Sequence, residues 1–158
     1  MEKYSQLSIT IGALGVMIAL IGLFPGIIGL DTVAGVGVLQ VLVILLGFAV
    51  LFTGAYLFAK QVYYPGQPTT LAQDIGIRLT LTGMLIAAAG GLADVLGFGS
   101  HGSTENTRPL LGNLQATVFL GGVLLASSGV VVYALFGPSG DANSSHDENN
   151  ATPPPPAP

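Results

Sequence analysis

The chain contains no cysteine. That excludes disulfides, thiolate metal sites and cysteine nucleophiles, while fixing no redox compartment. Histidine is nearly as scarce. The two present, His101 and His146, lie outside every apolar run, so a haem held between apolar helices by two histidines is excluded. No lysine falls within an apolar run, which excludes a retinal Schiff base. Charge is the broadest shortage. Charged residues make up 8% of the 158, where a soluble domain carries roughly 25%. A surface so poor in charge aggregates in water, so much of it is expected to face something else. No Ser-His-Asp set, H-E-x-x-H, phosphate loop or dinucleotide fingerprint occurs either.

What is present is apolar. Hydrophobic residues make up 51% of the chain, and the mean hydropathy is +0.73. The few charges are segregated. None lies between Lys3 and Asp31, between Asp31 and Lys60, or between Arg108 and Asp141. Each gap exceeds the roughly 20 residues a helix needs to cross hydrocarbon. A shorter gap runs from Arg78 to Asp94. The runs are continuous rather than alternating, which argues for helices and against barrel strands. The expected fold class is all-α: an integral membrane four-helix bundle over residues 1–136, with spans at 7–30, 37–59, 71–98 and 109–136. The first run is too long for a signal-peptide core and is expected to be retained. Residues 137–158 turn polar, acidic and then Pro-rich, and too few apolar residues remain there to support folding.

Local signals punctuate these spans. Pro25-Gly26 predicts a kink or an end to the first helix. Pro65-Gly66 and Pro68 mark a loop. Thr70-Leu-Ala-Gln73 fits a capping box that starts a helix at Leu71. Asp74 and Arg78 stand four apart and are expected to pair at the membrane interface. Pro109 suits a first helical turn. With four spans, Lys3, Lys60 and Arg78 share one side and Arg108 the other, so the basic residues put both termini in the cytoplasm of a cell-membrane protein. Tyr4, Tyr56, Tyr63, Tyr64 and Tyr133 all fall at the same interface under this topology.

The two halves resemble each other, over about 7–60 and 75–136. Gly15-Val-Met-Ile-Ala-Leu-Ile-Gly22 aligns with Gly83-Met-Leu-Ile-Ala-Ala-Ala-Gly90. Gly37-Val-Leu-Gln40 aligns with Gly112-Asn-Leu-Gln115, and Gly47 and Gly54 align with Gly122 and Gly129. These matches predict two tandem hairpins in a parallel repeat, related by an axis along the membrane normal. Small residues recur every three or four positions: Gly22 and Gly26; Gly83, Ala87 and Gly91; Gly122, Ala126 and Gly129. They are read as faces of close helix packing.

One constellation could carry chemistry. Asp94 lies near the outer end of the third span, and a carboxylate at membrane depth points to function. Gln40 and Gln115 hold equivalent places at similar depth, and Asn113 is near. Together they could line a polar pocket open to the outer side. The simpler reading is that Asp94 reaches interfacial water or pairs with Arg108 or His101, and that the glutamines are interhelical glue. No metal, cofactor or nucleic acid is implied. The chain reads as a non-enzyme whose partners are the bilayer and either another membrane protein or further copies of itself. Its expected role is a structural or accessory subunit. A small transporter or channel built from oligomerised hairpins is the alternative.

Overall fold

The computed structural model describes residues 2–29, 37–93, 96–97 and 112–137. These form four long helices and, among the described residues, no strand. They are α1 (Glu2–Leu23), α2 (Val38–Val62), α3 (Leu71–Leu92) and α4 (Asn113–Leu135). All four are long and apolar enough to cross a membrane. At 1.5 Å per residue each extends about 33–38 Å, against a hydrocarbon layer of about 30 Å.

The helix ends differ from the spans that hydropathy predicts. Helix α1 starts five residues earlier than the expected 7 and stops at Leu23 rather than 30. Helical bonding tolerates the polar residues of the first turns, whereas Pro25 stops it. Phe24 makes the last α-type bond, to the Leu20 carbonyl at 2.8 Å. Its φ and ψ of −128° and 67° suit a residue before proline, which is pushed away from the helical region. Pro25–Ile28 form a short 3-10 turn closed by Gly29 in the left-handed region. Helix α2 runs two residues past Lys60. Helix α3 ends at Leu92 rather than 98, just beyond the pair Gly90-Gly91, whose backbone freedom weakens helical continuation. Helix α4 begins at Asn113 rather than Pro109, with Gly112 extended before it. Asp94, His101, Glu105, Arg108, Pro109 and the tail from 138 onward lie outside the described residues.

The α3 start is the predicted capping box. Thr70 Oγ1 accepts from the Gln73 amide at 3.3 Å, and Gln73 Oε1 accepts from the Thr70 amide at 3.1 Å. The threonine hydroxyl also donates to the Phe136 carbonyl at 3.2 Å, tying the start of α3 to the end of α4. Thr70→Ala is expected to cost about 1 kcal/mol, read as a lower unfolding midpoint in detergent by circular dichroism. Asp74 and Arg78 pair at 2.8 Å with both side chains largely in solvent, an arrangement that contributes little stability.

Packing is pairwise. Helix α1 packs along α2 and α3 along α4, while the main contact between the pairs is α2 against α3 and α4. Both pairs are antiparallel. In the first, Gly22 meets Ile44, Ala19 meets Gly47, Gly15 meets Leu51 and Gly12 meets Gly54. In the second, Gly90 meets Phe119, Ala87 meets Gly122, Gly83 meets Ala126 and Thr80 meets Gly129. A Cβ on Gly15, Gly47, Gly54, Gly83, Gly122 or Gly129 would fall inside 3.0 Å of the facing backbone. The helices therefore touch main chain to main chain, the close approach that small residues permit. Gly26 is the exception among the expected packing residues. It sits in the 3-10 turn, and a Cβ there would meet nothing within 4 Å. Pro25 takes it off the helix, so the four-residue spacing from Gly22 places it on no helix face. Gly91 faces side chains instead, those of Val41 and Phe119.

Candidate functional site

The candidate outer cluster is explained in part by helix starts. Gln115 is the third residue of α4, and its Oε1 accepts from the Gly112 amide at 3.0 Å. An amide carbonyl there satisfies one of the donors that every helix N-terminus leaves open. Gln40 is the third residue of α2, as Gln73 is of α3. The same residue type thus stands at the same place in three helices, and in two of them it caps. Asn113 is exposed at the first position of α4. Asp94 lies outside the described residues, and so does the four-residue cluster as a whole.

The richest polar cluster lies at the opposite end of the bundle, where the sequence places the interfacial tyrosines, the α3 capping box and the Asp74–Arg78 pair. Tyr56 on α2 reaches across to α3, with its hydroxyl 3.0 Å from the Gly76 carbonyl and 2.5 Å from Thr80 Oγ1. Thr80 donates to the Ala126 carbonyl on α4 at 2.8 Å. Tyr56 therefore shares one proton between two acceptors on α3, and Thr80 passes its own to α4. One short chain of hydroxyls joins three helices. The Tyr133 ring stands edge-on to Tyr56 with centroids 4.8 Å apart, a favoured aromatic geometry.

Further toward that end, Tyr64 donates to the Ala134 carbonyl at 2.8 Å and accepts from the Gly137 amide at 3.1 Å. Its ring occupies the space a Cβ on Gly137 would need. Lys60 Nζ donates to the Gln67 carbonyl at 2.5 Å, closing the turn built on Pro65 and Gly66. Ser8 on α1 donates to Gln61 Oε1 on α2 at 2.9 Å. Gln73 is completely buried, and its Nε2, like Gln67 Oε1, has no hydrogen-bond partner among the described residues.

Chemically this end ties helices together. Its acceptors are mostly backbone carbonyls, and its hydroxyls donate to one another, to those carbonyls or, for Ser8, to the Gln61 side chain. Tyr56 and Thr80 were invisible as a pair because they lie on different hairpins, and hydropathy says nothing of which faces meet. The signal that could have hinted at the site was the shared depth of the tyrosines. Comparison with protein-family models, with curated proteins and with solved structures finds no match.

Proposed function

We propose that this chain is a multi-pass membrane protein that serves as a non-catalytic structural or accessory subunit of a membrane assembly. The observation that carries the reading is the inverted distribution of side chains. The buried apolar core is small, centred on Val41, Leu45, Ala87 and Val123, Gln73 and Ser8 are buried beside it, and the closest helix contacts run through Gly, Ala and Thr. Large apolar residues such as Met17, Leu39, Leu85, Leu114, Leu124 and Leu135 point outward. A water-soluble domain does the reverse and buries Leu, Ile and Phe. Lipid as solvent accounts for both halves of this pattern: it accepts the outward apolar residues, and it leaves close packing to hold the helices together.

The non-catalytic part rests on how the described ionisable groups are used. Lys60 closes a turn, and Asp74 pairs with Arg78. The hydroxyls and amides serve as caps and ties. The equivalent contacts of the two hairpins support descent of both from one hairpin, set side by side in a parallel repeat. The distribution of basic residues supports a cell-membrane location with both termini cytoplasmic. Purification of the tagged chain in native detergent, with identification of the chains that accompany it, tests the role. Larger membrane proteins in fixed ratio are the expected result. A chain that purifies without any of them overturns the accessory reading.

A further inference from the structure

We propose that copies of this chain associate head to tail in the bilayer, α4 of one copy entering the groove between α1 and α2 of the next. This contact would repeat between chains the one that α2 makes on α3 and α4 within a chain, and it rests on the membrane reading above.

The inference starts from matching registers. Every close contact of the first hairpin has its counterpart in the second. Gly22 with Ile44 corresponds to Gly90 with Phe119, and Ala19 with Gly47 to Ala87 with Gly122. Gly15 with Leu51 corresponds to Gly83 with Ala126, and Gly12 with Gly54 to Thr80 with Gly129. The correspondence follows the same shifts that align the sequences, so each position on one hairpin has a defined partner on the other.

On the second hairpin the α3/α4 groove is filled. Val41 and Leu45 of α2 form a core with Ala87 and Val123, against which Met84, Ala88, Leu92 and Phe119 pack. Gly91 faces the Val41 side chain, and Tyr56 reaches Thr80. On the first hairpin the counterparts of Met84, Ala88, Gly91 and Leu92 are Val16, Leu20, Leu23 and Phe24. All four are uncovered, with 42% to 56% of their surface exposed. The counterpart of Thr80 is Gly12, where a Cβ would meet nothing within 4 Å.

The complementary half of the interface is open as well. The α4 counterparts of Val41, Leu45 and Tyr56 are Ala116, Leu120 and Val131. Ala116 is exposed, and Leu120 and Val131 are exposed by 59% and 53%. Each molecule therefore holds one assembled copy of this interface and, on α1 and α4, uncovered counterparts of most of its positions; Phe48 and Val123, which correspond to each other, already pack within the chain. Two different surfaces that fit each other give a heterologous contact, which continues from copy to copy until it closes into a ring. Neither surface carries a charge, so none is desolvated. Where Tyr56 meets Thr80 inside the chain, Val131 would enter the open space at Gly12 between chains. The gain is van der Waals packing, the term that drives helix association in lipid.

The absence of native cysteine makes the test direct. One copy carries Leu23→Cys and a co-expressed copy carries Ala116→Cys, the counterparts of Gly91 and Val41. Mild oxidation of membranes is expected to give an interchain disulfide. Ile21→Cys lies at similar depth on the opposite side of α1 and should give none with Ala116→Cys. Equal cross-linking from both positions, or none from Leu23→Cys, overturns the proposal. Gly12→Phe adds a second measurement, because a Cβ at this position meets nothing within 4 Å in the free chain. Self-association followed by energy transfer in phosphatidylcholine vesicles should weaken about tenfold, the loss expected from overfilling a packed contact. Unchanged association would also overturn it. Cross-linking without co-purifying partners leaves this inference standing and removes the accessory role; partners without cross-linking do the opposite.

Discussion

Gly83→Leu is expected to take the second hairpin apart. A Cβ at Gly83 would lie 2.6 Å from the Gly122 carbonyl oxygen and 2.8 Å from Ala126 Cα. Both are helix backbone, so no flexible side chain can swing aside. The two helices must separate along the contact, and the neighbouring approaches, Ala87 on Gly122 and Gly76 on Gly129, open with it. Overfilling a packed core typically costs about 1–3 kcal/mol. A main-chain contact that cannot relax should sit at or above the top of that range. Gly121→Leu is the matched control: a Cβ there meets nothing within 4 Å, and the residue faces outward on α4, the helix that Gly83 packs against. Denaturation in mixed detergent micelles, followed by helicity, should show a large loss for Gly83→Leu and almost none for Gly121→Leu. Equal stability of the two variants would remove the backbone-contact account of this hairpin.

Tyr56→Ala is the second large effect, and it should act between the hairpins rather than within them. Helix α2 provides the main bridge between the two pairs, and Tyr56 is its polar anchor through Gly76, Thr80 and the Tyr133 ring. Truncating a fully buried aromatic costs about 3–5 kcal/mol, and Tyr56, half-buried, should fall below that range. Hydrogen bonds in membrane proteins average only about 0.6 kcal/mol, so the lost ring packing should dominate. Tyr56→Phe keeps most of that packing and is expected to lose about 1 kcal/mol. Labels on α1 and α3 would report the separation of the hairpins by energy transfer. Tyr56→Ala should lower transfer while helicity is retained, since the contacts of α1 with α2 and of α3 with α4 do not use this side chain. A parallel loss of helicity would show that the hairpins do not stand on their own.

Much of this fold is written in one-dimensional terms. Three long charge-free runs and a shorter one between Arg78 and Asp94 predict four helices, because long apolar runs satisfy their backbone by helical bonding where water is absent. Pro25 dictates where α1 ends, and Thr70 with Gln73 dictates where α3 begins. The Asp74–Arg78 pair follows from spacing alone. The small-residue faces were legible too, although Gly15, Gly47 and Gly54 of the first hairpin registered as repeat positions rather than as contacts. The glutamines carry a second, local role that equivalent positions did not suggest: Gln115 sits where α4 begins and caps it.

What the sequence determined by itself was the number of helices, the main signals for their starts and stops, and the kinds of residue available for close approach. Those properties depend on local bonding and on summed hydropathy. The tertiary structure decided the register of each pair, the choice of α2 as the bridge, and the meeting of Tyr56, Thr80 and Tyr133. Those depend on which faces fit, and outward-facing and helix-facing positions are almost equally apolar in this chain. Hydropathy cannot separate the two. Only the shapes of facing backbones, with a glycine wherever they touch, select one arrangement.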